Sequence, residues 1–199
     1  MGSRVMHAII SERILEEIEM KDKQLFFLGG MAPDAGTKEK THWYSGNEEQ
    51  YTRIIDLSVF LKQYSGQKMS PFILGYFSHL IADEIWLNGF YLPWLSNRLK
   101  ADPALLARYH EDFKILNAKL TDIYTFQLPE YGASLSLVEE FPEGVTVQSL
   151  QSLLGELRRD LKFDLADIGK PLNVFTEEQI IGYIETAVEK SIFYINQNL

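Results

Sequence analysis

Cysteine is absent from this 199-residue chain. That excludes disulfides, thiolate nucleophiles and cysteine-held zinc, so a metal here must be held by His and carboxylate. Basic residues are in short supply: 19 Lys and Arg face 28 Asp and Glu, for a formal net charge of −9. Such a surface disfavours non-specific binding to nucleic acid or anionic membranes, and no specific nucleic-acid partner is expected. A local basic or metal-lined pocket can still take a phosphate. Long apolar runs are missing too. The most apolar stretch, Met69 to Asn97, is broken by Asp83 and Glu84 into uncharged pieces of 14 and 13 residues, too short to span a bilayer. The first residues, Met1 to His7, lack the apolar stretch of a signal peptide, and Met6 stands where a myristoylation start needs Ser or Thr. The expectation is a cytoplasmic protein without a transmembrane segment. Histidine is confined to four positions, His7, His42, His79 and His110, with none beyond.

What is present is ordinary globular composition, 46% hydrophobic and 24% charged, in a chain long enough to bury a core. One helical domain over residues 1–199 is expected, with a metal-site half over roughly 1–128 and a C-terminal half over roughly 147–199. Helical spacing runs nearly throughout. His7, Ile10, Ile14 and Ile18 share a face. Asp22 opens a short helix that Gly29-Gly30 should end. Asn47-Glu48-Glu49-Gln50 reads as a capping box opening a helix with Tyr51, Ile54, Ile55, Ser58 and Leu61 on one side. Ser70-Pro71 and Asp102-Pro103 are start signals of one kind. The second leads a helix carrying Leu106, Tyr109, His110, Phe113, Leu116, Asn117 and Leu120 inward, ending before Pro129. Residues 129–146 read as a loop. Leu150, Leu153, Leu154, Leu157 and Leu161 form the next stripe. Thr176 to Gln179 caps a final helix with Ile180, Ile181, Ile184, Val188 and Ile192 inward. No convincing run of strands is seen.

His79 and Asp83 are the most informative pair. Four residues apart on a helix, their Cβ atoms lie about 6 Å from each other and one cation can bridge them. They sit among Phe72, Ile73, Leu74, Tyr76, Phe77, Leu80 and Ile81, where a buried Asp needs a cation or strong hydrogen bonds. A core His bonded to its own Asp is the competing reading. His7 lies on an apolar stripe and also reads as a core histidine. Asp34, after Pro33 in a Gly-flanked loop, also reads as turn chemistry. His42, in Lys40-Thr41-His42-Trp43-Tyr44, also reads as a loop histidine beside aromatic packing.

The order His7, Pro33-Asp34, His42 and His79-x-x-x-Asp83 resembles the zinc-dependent phospholipase C family, whose wider relatives include helical single-strand nucleases. The resemblance covers roughly residues 1–110 and includes Leu28-Gly29-Gly30-Met31-Ala32-Pro33-Asp34, His42-Trp43 and Gly75-Tyr76-Phe77-Ser78-His79-Leu80. It implies an all-α, multi-helix bundle of the zinc-dependent phospholipase C type. It implies one metal site from Asp34, His42, His79 and Asp83, with Asp83 bridging to a second metal that takes His7. The secreted members place a further His six residues after the motif Asp, where this chain has Gly89. They continue with a His-x-x-x-Glu pair, whereas His110 here is followed by Lys114. One or two zinc ions are therefore expected, and a third has no support. His110 with Glu111 or Asp112 is a possible additional site; a core His near Asn117 is the competing reading.

The implied function is a metal-dependent hydrolase of phosphoester or phosphodiester bonds. Its substrate would be a small phosphoester or a phospholipid head group. His and carboxylate ligands suit zinc, and also other divalent transition metals. Asp34 is the candidate catalytic residue, positioning water or taking its proton. Lys38 and Lys40 are candidate phosphate contacts, or simply a solvated loop. The alternative is a non-catalytic helical interaction module with a structural metal. A helical phosphohydrolase built on an adjacent His-Asp pair is disfavoured, because His42 is followed by Trp43 and His79 by Leu80. The stripes beyond residue 110 could cover the core or form a homo-oligomer contact.

Overall fold

The computed structural model describes residues 2–64, 69–131 and 134–198. The described residues are mainly helical, as the periodicity predicts. Helix α1 (Arg4–Glu17) starts at Ser3, whose hydroxyl accepts from the Met6 amide at 3.3 Å. His7, Ile10, Ile14 and Ile18 are all buried, but so are Val5, Met6, Ala8, Ile9 and Leu15. The helix is apolar nearly all round because it packs on α2 (Lys23–Met31), α5 (Pro71–Trp86), α7 (Leu105–Ile123), α8 (Val147–Asp160) and α9 (Glu177–Asn198).

Helices α2 and α5 form the most extensive pair, and glycine is the reason. Gly29 and Gly30 do not end α2, contrary to the expectation; they lie inside it. A Cβ on Gly29 would sit 2.8 Å from the Phe72 carbonyl carbon. One on Gly75 would sit 2.8 Å from that of Phe26 and 2.9 Å from the Gly30 amide nitrogen. Backbone meets backbone here, so the glycines serve close approach rather than termination. Asp22 stands at the α2 start, but its side chain makes no capping bond.

The capping-box reading of Asn47 is also corrected. The Asn47 carboxamide accepts from the Gln50 amide at 3.1 Å, closing a turn, and Tyr51 takes φ 56°. An Asx-type bond competes with helix in this way. Residues on either side pair as two short antiparallel strands, β1 (Tyr44–Ser45) and β2 (Ile54–Ile55), with Tyr44 opposite Ile55. Helix α4 (Leu57–Tyr64) begins only after Asp56, whose carboxylate accepts from the Ser58 and Val59 amides. A four-residue helix α3 (Lys38–Thr41) precedes the strands.

Ser70-Pro71 starts α5 as predicted, with the Ser70 hydroxyl accepting from Ile73. The helix runs on through a π-helical stretch, Leu87–Leu95, into α6 (Ser96–Ala101). The wider turn accommodates Pro93, which lacks an amide proton for the ladder. Asp102-Pro103 precedes α7 by a turn, with the Asp102 carboxylate accepting from Ala104. On α7, Leu116, Asn117 and Leu120 face in, but Leu106 and His110 are exposed. The last two helices start at reciprocal caps, Thr146 with Ser149 and Thr176 with Gln179. On α9 the buried face is Ile180, Tyr183, Ile184, Ala187, Val188, Ser191 and Ile195; Ile181 and Ile192 are only half-buried. No helix among the described residues is long and apolar enough to cross a membrane.

Candidate metal centre

Four elements converge on one buried point. Helix α1 brings His7. Asp34 comes from the 3-10 turn Ala32–Ala35 that continues α2. His42 follows α3, and α5 brings His79 and Asp83 one turn apart. Two overlapping groups result, His7–His79–Asp83 and Asp34–His42–His79. In each, the candidate ligand atoms lie within 4.8 Å of one another. His79 belongs to both. Asp83 directs one carboxylate oxygen to each side: Oδ1 is 3.3 Å from His7 Nε2, and Oδ2 is 3.1 Å from His42 Nε2 and 3.7 Å from His79 Nε2. Asp34 Oδ1 lies 3.7 Å from His42 Nε2 and 4.0 Å from His79 Nε2.

The tautomers follow from the outer partners. His79 Nδ1 lies 2.8 Å from the Gly30 carbonyl oxygen, which can only accept, so this nitrogen carries the proton. His42 Nδ1 lies 2.9 Å from the Thr41 hydroxyl, which donates its own proton to the Thr37 carbonyl. It therefore receives the His42 proton. In the neutral rings both Nε2 atoms then turn lone pairs towards the lone pairs of Asp83. Consistently, His7 Nε2, His42 Nε2, His79 Nε2 and both Asp83 oxygens are buried without a hydrogen-bond partner among the described residues. Lone pairs facing lone pairs in a buried site call for a cation between them. The donor set of imidazole nitrogen and carboxylate oxygen fits zinc, and the outer bonds to Gly30 and Thr41 fix ring orientation as metal-site partners do.

Electrostatics agrees. Burial disfavours charge on His79, yet Asp34 and Asp83 overrule it and hold its pKa above the ordinary histidine value. The rings of His7 and His79 stack at 3.8 Å. Burial, and then the charge of His79, push His7 down; burial also lowers His42. Burial would raise Asp83, but the facing imidazoles of His42, His7 and His79 hold it well below its usual range. Asp34 is lowered against its own burial by His79 and His7. These shifts describe a site short of positive charge.

Local structure aims these side chains. The Tyr76 hydroxyl donates to the Thr41 carbonyl at 2.8 Å, pinning the turn that carries His42. Trp43 adopts φ 48°, a left-handed conformation rare for a bulky residue, held by edge contacts with Phe60 and Tyr76. His110 does not join the cluster; it is exposed on α7 beside Tyr109. Asp112 does not rebuild a site with it. Its buried carboxylate accepts from the Asn173, Val174 and Phe175 amides at 2.7, 2.7 and 3.1 Å, and ties the chain before α9 to α7. Sequence reasoning also missed Gly30 and Thr41 as outer partners, because neither residue type signals that role.

Residues 6–86 match the model of a family described as Zinc dependent phospholipase C. This segment is similar to that family. It spans all five clustered residues and stops short of His110. Neither a curated protein nor a solved structure matches the chain. Together, the family match and the two His/Asp groups support zinc as the ion and a zinc-dependent hydrolase in general terms.

Proposed function

We propose that this protein hydrolyses phosphoester or phosphodiester bonds at a zinc site held by His7, Asp34, His42, His79 and Asp83. The observation that carries the reading is a difference in exposure within the cluster. The side chains of Asp83, His42 and His79 are 0% exposed and that of His7 is 1%, whereas Asp34 is 15% exposed. Asp34 is where the buried cluster meets solvent. Bound zinc supplies a Lewis acid and water of lowered pKa. Asp34, held ionised, accepts a proton from water at its exposed edge and orients that water. His42 and His79 keep their Nδ1 protons on Thr41 and Gly30, so their Nε2 atoms stay free for the ion.

A cleft of about 230 Å³ is lined by Lys38, Glu39, Tyr44, Glu48, Arg53, Leu87 and Tyr91, and the Tyr44 ring stacks on His42 with centroids 5.7 Å apart. Lys38 Nζ is 4.0 Å from Asp34 Oδ1, whereas Lys40 turns away to Glu143 at 3.6 Å. Lys38 is therefore the lysine that meets a phosphate group. The cleft's size fits a small phosphoester or a head group better than a polymer. The near-complete burial of four ligands is also what a closed structural metal site would show, and that gives the second reading, a helical interaction module.

Asp34→Asn tests the choice. The variant keeps shape but removes a charged zinc ligand together with the proton acceptor, so its zinc content is measured beside its activity. Under the enzyme reading, zinc-loaded wild type hydrolyses members of a phosphomonoester and phosphodiester panel, while the variant folds and loses that activity. Zinc-loaded wild type inert against the whole panel would leave the structural reading.

A further inference from the structure

Outside the matched segment, α9 carries a buried hydroxyl with nothing to bond. Tyr183 is 3% exposed, and its Oη has no hydrogen-bond partner among the described residues. Apolar packing fixes the ring: Trp86 meets it edge-on with centroids 5.2 Å apart, and Phe90 at 6.1 Å. Gly2 marks the space the oxygen borders. A Cβ built there would lie 3.0 Å from Tyr183 Oη and 3.5 Å from His7 Nε2. The phenol oxygen and the unpartnered His7 nitrogen therefore flank one small space, and Asp83 Oδ1 is 3.3 Å from that nitrogen. Unpaired buried polar atoms are uncommon, and two that flank one space are explained together by an atom between them.

We propose that Tyr183 is a positioning residue of the metal centre, its phenol O–H donating to an oxygen, from water or phosphate, seated beside His7. The inference rests on the metal-centre reading above. The chemistry is complementary. Asp34 and Asp83 are acceptors when ionised, so an oxygen drawn in among them by a cation gains from a neutral donor. A phenol caged by aromatic rings presents that donor in one direction with little side-chain freedom to lose.

Tyr183→Phe removes one atom and keeps the ring. The experiment compares wild type, Tyr183→Phe and Tyr131→Phe by thermal unfolding, metal-free, with zinc, and with zinc plus inorganic phosphate. Tyr131 is a control: among the described residues its buried hydroxyl is equally unpaired, but its ring stacks on Phe27 rather than on a residue of the cluster. The expected result is a metal-free Tyr183→Phe protein at least as stable as wild type, since an orphaned hydroxyl has gone. Zinc should then stabilise it less than wild type, equivalent to about tenfold weaker binding. A deficit with zinc alone assigns the oxygen to water; a deficit only with phosphate present assigns it to phosphate. Tyr131→Phe should respond to both additions as wild type does. Gly2→Ala fills the same space from the other side and should show the same selective deficit, so the test survives a poorly folding Tyr183→Phe. Equal zinc and phosphate responses in wild type and both site variants overturn the role of Tyr183 alone. Wild type that takes up no zinc overturns the metal reading and this inference together.

Discussion

Gly75→Ala tests how the fold builds the site. The added Cβ would sit 2.8 Å from the Phe26 carbonyl carbon and 2.9 Å from the Gly30 amide nitrogen, and closer still to the Phe26 carbonyl oxygen. These are backbone atoms within a helix, so no side chain can swing aside. Van der Waals contact begins near 3.4 Å, and α2 and α5 must separate to reach it. Overpacking costs about 1–3 kcal/mol; against backbone that cannot move aside the cost falls at the upper end, ~2–3 kcal/mol, less the ~1 kcal/mol that Ala gains over Gly in a helix. A net loss of ~1–2 kcal/mol corresponds to a fall of about 2–8 °C in Tm for a chain of this size. The displacement also reaches the metal centre, because the Gly30 carbonyl holds His79 Nδ1 at 2.8 Å and His79 lies one turn after Gly75. Thermal unfolding of the metal-free protein, followed by zinc titration, reads both effects. Gly182→Ala on the exposed face of α9 is the control: its Cβ meets nothing within 4 Å, and Ala there should stabilise. If Gly75→Ala matches or exceeds wild type in stability, the close backbone approach is not what sets the α2–α5 spacing.

Four further outcomes are expected. Asp112→Ala strands the Asn173, Val174 and Phe175 amides and should cost at least ~3 kcal/mol, measured by denaturant unfolding; a cost below ~1 kcal/mol would contradict its clamping role. Zinc uptake should expel a proton from His79, whose pKa is raised, so affinity should fall as pH is lowered through its folded value; calorimetry across a pH series in two buffers of different ionisation enthalpy reads the proton. In the metal-free protein the sign is different for the carboxylates. Asp34 and Asp83 are depressed below 3.8, so their contribution to stability is complete above about pH 4 and is lost as pH falls through their folded values. Lys38→Ala should raise KM for a phosphoester about tenfold while Lys40→Ala leaves it unchanged; equal effects would remove Lys38 from the cleft's function.

The helices were legible where apolar period and cap agree. Ser70-Pro71 and Thr176 each start a helix at the expected place, because a cap is a local bond between residues three apart. The errors fall where a tertiary or side-chain bond overrides local preference. Gly29 and Gly30 look like a helix end, yet they are spacers demanded by a partner helix that sequence alone does not place. Asn47 looks like a cap, yet its carboxamide closes a turn between short strands. His110 shares the spacing of the inward residues Asn117 and Phe113, and only the packing of α7 shows that its position faces solvent. The cluster itself was partly legible, since His79 and Asp83 are joined by helical spacing. His7, Asp34 and His42 come from other elements, and their meeting point depends on long-range packing. Tyr183 was hidden because a tyrosine on an apolar stripe reads as core, and its ring is core; only its oxygen is not.

The most direct test is the metal content of the protein purified without added metal or a His tag, beside His79→Ala. His79 is the residue shared by both His/Asp groups, so its loss leaves neither intact. The account predicts stoichiometric zinc in wild type, one or two ions per chain, and its disappearance in the variant. Metal-free wild type that is not stabilised by added zinc or another divalent transition metal would contradict it, and the buried histidines would then be core residues held by Gly30, Thr41 and Asp83.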